Sequence, residues 1–156
     1  MMEQELEPAR IHSMVDIAKQ VTYWRDSAKE DWAVAFELVD GGRQRYGLFF
    51  THLALEKLLK ALVCRKTHEL APKIHNLVRL ADLAGLQPSP EQRDTLAEMN
   101  AFHVEGRYPE SLTPLPTVEE ARGYMIRAEG VFQWLMNQLE KAFETTSGLS
   151  KRMVSP

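Results

Sequence analysis

The stretch RQRYGLFFTHLALEKLLKALVCRK, from Arg43 to Lys66, constrains this chain more than any other. It reads as one helix whose apolar residues, Leu48, Phe49, Phe50, Leu53, Ala54, Leu55, Leu58, Leu59, Ala61, Leu62 and Val63, leave almost no polar face. A surface helix keeps an apolar stripe roughly 100° wide, so a helix of this kind must be covered on most sides. Its polar residues His52, Glu56 and Lys60 recur every four positions and therefore line one face. The expected arrangement of that line is a solvent-facing ladder in which Glu56 reaches Lys60. The alternative is a polar strip facing a groove or a partner subunit, where buried charges must be paired.

The remaining segments supply helices to cover it. Residues 1 to 13 lack sustained periodicity and are expected to form a flexible lead-in. A first long helix starts near Ser13, with Asp16 in its first turn, and repeats its core side at Ile17, Val21, Trp24, Ala28, Trp32, Ala35 and Val39. Asp40-Gly41-Gly42 ends it, and so short a connection sends the central helix back antiparallel, as a hairpin of roughly 35 Å. A short helix is expected from about His75 to Ala84, stopped by Gly85. Ser89-Pro90-Glu91-Gln92 then starts a fourth, running to about Val104. GRYPESLTPLPT follows, with three prolines and a glycine in twelve residues, longer than the usual connection and a candidate functional loop. Thr117-Val118-Glu119-Glu120 is a capping box opening a last helix, whose stripe is Ala121, Met125, Ala128, Phe132, Leu135, Leu139 and Phe143. The expected fold is an all-α, antiparallel up-and-down bundle of about five helices: two long ones in a hairpin, two shorter ones and one long C-terminal one. The bundle spans residues 14 to 145, and residues 146 to 156 form a disordered tail.

At 156 residues and 44% hydrophobic the chain is long enough to bury a core as one domain. The central helix carries Arg45, His52, Glu56, Lys57 and Lys60, too many charges for a membrane span. The acidic N-terminus lacks the apolar stretch of a signal peptide, and Cys64 stands alone in the apolar helix as a small hydrophobe. A cytoplasmic setting without a membrane partner is the expectation. With 19 basic and 22 acidic residues the chain lacks the broad basic face of an obligate nucleic-acid binder, although a local basic site stays open.

Generic chemistry motifs are missing. There is no HExxH, no cysteine pair and no glycine-rich phosphate loop, and the histidines at 12, 52, 68, 75 and 103 are scattered along the chain. Neither a metal site nor a cofactor is expected. What stands out is the run from Met99 to Pro109, where Asn100, His103, Arg107 and Tyr108 gather at a helix end. Arginine suits a phosphate fork and tyrosine stacks on a base. The plainer alternative is that His103 and Arg107 close the last helix carbonyls while Tyr108 packs on the bundle. His75-Asn76 opens the short helix, where capping is the ordinary explanation.

These pieces in their order resemble the HEPN domain family of prokaryotes. They are two long helices, the second carrying His52-Leu53-Ala54-Leu55-Glu56-Lys57-Leu58-Leu59-Lys60, then His75-Asn76-Leu77 with Leu80, then Asn100 and Arg107-Tyr108-Pro109. The resemblance covers roughly residues 14 to 143 and implies a helical bundle that dimerises through its long helices. Relatives are often paired with a minimal nucleotidyltransferase in toxin and antitoxin systems, and others are proposed to bind nucleotides. The residues gathered at the helix end, Arg107, Tyr108, Asn100 and His103, together with His75, are the candidate nucleotide or RNA contacts. Ribonuclease members of the family carry an arginine and, after four to six intervening residues, a histidine. Here that spacing occurs only as Arg45 and His52, inside the central helix, while His103 precedes Arg107. The leading reading is therefore a homodimeric binding module that catalyses nothing itself. The alternative is a metal-independent ribonuclease using His103 and Arg107 as its acid or base and its phosphate cation.

Overall fold

The computed structural model describes residues 16–105 and 114–154. Among them are five helices and no strand: α1 (Ile17–Asp40), α2 (Gln44–Thr67), α3 (Leu77–Leu83), α4 (Pro90–Glu105) and α5 (Val118–Val154). The starts follow local chemistry. Asp16, expected inside the first turn, is itself the N-cap of α1, its carboxylate accepting from Lys19 N; aspartate caps as well as serine does, and the apolar period begins only at Ile17. Ser89 and Gln92 bond each other's backbone N–H at the start of α4, and Thr117 and Glu120 do the same at α5. Both are reciprocal capping boxes. The short helix begins at Leu77 rather than His75, because Asn76 caps it by accepting from Arg79 N. At the other end α5 continues to Val154, so residues 146 to 154, expected as a tail, extend the helix; no proline stands before Pro156 to stop it.

Helix α2 lies in the middle and packs against every other helix. Along α1 the approach is close at Gly47, where a side chain would collide with Val39 and with the backbone of Ala35. Lys57 fastens the same hairpin further along, 2.7 Å from Asp31 and 2.7 Å from Ser27 Oγ. From Ala54 to Cys64 only Lys57 escapes burial, and Phe49, Phe50 and Leu53 are half-covered. The α1 stripe packs there through buried Val21, Ala28, Ala35 and Val39, with Trp32 stacked on Phe132 of α5 at a centroid distance of 4.8 Å.

This overturns one expectation. The line His52, Glu56, Lys60 is no solvent-facing ladder: His52 is 0%, Glu56 3% and Lys60 7% exposed. A helix apolar on every side implied as much for the polar residues embedded in it. Large apolar side chains are exposed on several helices, among them Tyr23 and Phe36 on α1, Tyr46 near the start of α2 and Ile126 on α5.

Candidate functional site

A buried polar line needs partners, and these come from two other elements. Glu56 is the hub. Lys60, one turn on, donates to its Oε2 at 3.2 Å, and His75, in the segment before α3, donates from Nδ1 to its Oε1 at 3.0 Å. The Lys60 ammonium sits 5.5 Å from the ring centre of Trp24 on α1, a cation–π contact that closes this end of the strip. A carboxylate this deep is tolerable only because both oxygens are hydrogen-bonded to groups that carry or can carry positive charge.

His52 is tied to the same segment by a different atom. Its Nε2 lies 3.1 Å from the backbone oxygen of His75, and since a carbonyl can only accept, Nε2 carries the proton. Burial, working against the attraction of Glu56, pushes the His52 pKa from 6.5 down to about 4, so the ring is neutral at neutral pH. Helix α4 adds the third histidine. The ring of His103 stacks on His75 at 4.5 Å between centroids and lies 5.0 Å from His52, with Phe49 on its other flank at 6.2 Å. Three of the five histidines, far apart in sequence, thus meet around one carboxylate, which corrects the reading of them as scattered.

Asn100 and Asn76 hold this arrangement in register. Asn100 Oδ1 accepts from Leu77 N at 2.9 Å, so a side chain of α4 satisfies one of the open N–H groups at the start of α3. Its Nδ2 donates to Asn76 Oδ1 at 3.4 Å. Asn100, expected to contact a ligand, is thereby engaged within the chain. His75 is the exposed member, its side chain 47% accessible, and His103 is half-buried. Together they form the face that the node shows to solvent. Arg107 and Tyr108 lie outside the described residues. The roles of Trp24 and Phe49 as walls of the node were missed from sequence. The available signal was that a histidine, a glutamate and a lysine inside an otherwise apolar helix need neighbours that tolerate them.

The fold and this node define an all-α domain built around one central helix, with a histidine-rich polar centre that reaches the surface through His75 and His103. The HEPN domain family model matches residues 21–140, and the chain belongs to that family. The fold is that of TT1696 from Thermus thermophilus, with a TM-score of 0.64 at 18% identity over 76% of this chain and 97% of that one. It is likewise that of ST0689, an archaeal HEPN homologue, with a TM-score of 0.61 at 20% identity over 76% of this chain and 96% of that one. No curated protein matches the chain. No described helix is long and apolar enough to cross a membrane.

Proposed function

We propose that this HEPN-domain chain is a homodimeric module that binds a nucleotide or a minimal nucleotidyltransferase partner, as one half of a toxin and antitoxin type of pair, and does not itself cleave RNA. The observation that carries this reading is the state of His52. It is the histidine of the chain's Arg-x6-His spacing, yet it is 0% exposed, neutral, and has its Nε2–H committed to the backbone of His75. A general acid or base must reach the 2′-hydroxyl of its substrate, and a ring sealed under α3 and α4 does not. Binding is supported by the exposed ring of His75, which offers a flat surface for stacking at the solvent edge of the node. Arg107 and Tyr108 follow His103 by four and five positions in the sequence. Dimerisation is supported by the groove of about 170 Å³ between α1 and α5, where exposed Phe36 and Ile126 flank Trp32 and Met125.

The ribonuclease alternative, with His103 and Arg107 as the pair, is separated by incubating the full chain with RNA in a chelator. Intact RNA is expected, and cleavage abolished by His103→Ala would sink the binding reading. Affinity for a fluorescent nucleotide and for single-stranded RNA is then measured with Arg107→Ala. A loss of roughly 1.5–3 kcal/mol with an unchanged melting temperature is expected for a charge-assisted hydrogen bond. Unchanged affinity in a destabilised variant would make Arg107 a structural cap. Light scattering of the wild type and of Ile126→Asp tests the dimer, which should dissociate in the variant.

A further inference from the structure

His52 and Glu56 stand one turn apart on α2, the i and i+4 spacing by which one helix face presents two ligands to a single ion. His103 arrives from α4, and one ligand-capable atom from each of the three lies within 4.8 Å of the others. The tautomer of His52 decides what can occupy the space between them. With the proton on Nε2, its Nδ1 is a bare lone pair, fully buried and without a hydrogen-bond partner. It faces Glu56 Oε1 at 3.9 Å, which is a second acceptor. Two acceptors opposed across a buried gap repel each other unless something positive lies between them.

We propose that His52 Nδ1, a carboxylate oxygen of Glu56 and a ring nitrogen of His103 form a binding site for one divalent transition-metal ion of the zinc class, with His75 at its mouth.

The outer contacts match what such a site requires. A metal-bound imidazole keeps its ring orientation by donating its other N–H, commonly to a backbone carbonyl, and His52 does so to His75. A ligating carboxylate is itself hydrogen-bonded, and Lys60 holds Glu56 Oε2. Lys60 also neutralises the carboxylate before an ion arrives, so the ion enters against one nearby ammonium. Two nitrogens and one oxygen are a borderline donor set. It suits zinc and its first-row neighbours, whereas magnesium and calcium take oxygen ligands throughout. Closing the three donors to the roughly 3.3 Å separation of a tetrahedral site asks for side-chain shifts of about 1 Å. His103, half-buried at the edge of the node, is less tightly enclosed than His52 and can make that shift. His75, more exposed still, donates its Nδ1–H to Glu56 Oε1 at the solvent side, and a water would complete the coordination. The inference concerns the metal alone and does not depend on nucleotide binding.

The full chain, stripped with chelator and dialysed, is titrated with Zn²⁺ by calorimetry and with Co²⁺ by visible absorption. Expected are one ion per chain, the intense bands of four- or five-coordinate cobalt, a raised melting temperature with Zn²⁺, and no competition from Mg²⁺. Because His52 and Glu56 are buried and their removal threatens folding, the ligand test uses His103→Ala, checked by circular dichroism. His103→Ala removes a direct ligand and should weaken Zn²⁺ by at least about 100-fold, since outer-shell changes alone cost about 10–100-fold, while exposed His68→Ala leaves it unchanged. The proposal is overturned if the wild type shows no saturable binding at micromolar Zn²⁺, if bound cobalt keeps the weak spectrum of the aquo ion, or if folded His103→Ala binds as the wild type does.

Discussion

Glu56→Ala is the substitution that separates a buried ionic hub from a surface ladder. An exposed i,i+4 pair of this kind contributes about 0.3–0.5 kcal/mol, and deleting its carboxylate would scarcely register. In the structure Glu56 and Lys60 expose only 5% and 8% of their side chains, and the same carboxylate also takes the Nδ1–H of His75. Alanine therefore leaves a buried ammonium without its counter-charge and releases the segment that seats His52. Removing one partner of a buried pair costs about 3–5 kcal/mol, which for a chain of this length lowers the melting temperature by roughly 6–20 °C. Urea unfolding followed by far-UV circular dichroism measures the loss directly. The double variant Glu56→Ala/Lys60→Met should recover much of it, because exchanging both partners for apolar groups is close to neutral. A loss below about 1 kcal/mol for the single variant, within the range of exposed pairs, would refute the burial argument; so would a double variant no more stable than the single.

Gly47→Ala places a methyl against Val39 and 3.0 Å from Ala35 O, so α1 and α2 must part; despite alanine's better helix propensity, a net loss of about 1–3 kcal/mol is expected in denaturant titration. Asn100→Ala removes the acceptor for Leu77 N and should cost about 1–3 kcal/mol, whereas Asn100→Asp keeps that acceptor and should lose less; equal melting curves for the two would refute the role. Burial pushes the Cys64 thiol pKa up and encloses the sulfur, so a thiol reagent should label it only on unfolding, and rapid labelling of the native chain would contradict the packing.

The capping boxes at Ser89 and Thr117 and the core stripes of α1 and α5 were legible in the sequence because each depends on residues within a few positions of one another. The same local rules explain small shifts, such as Asp16 and Asn76 taking the cap positions of α1 and α3. The burial of His52, Glu56 and Lys60 was only half legible. Periodicity put them on one face but could not say what that face meets.

What the sequence determined by itself was therefore an all-helical chain wrapped around α2, since the period of apolar residues dictates which surface each helix must hide. The tertiary structure alone decided the chemistry of the node. His75 reaches Glu56 across 19 positions of sequence, and Asn100 reaches Leu77 across 23. Such pairings are set by how α3 and α4 dock on the central helix. Pattern along the chain carries no record of that docking, because the free energy of a hydrogen bond depends on distance and desolvation in space.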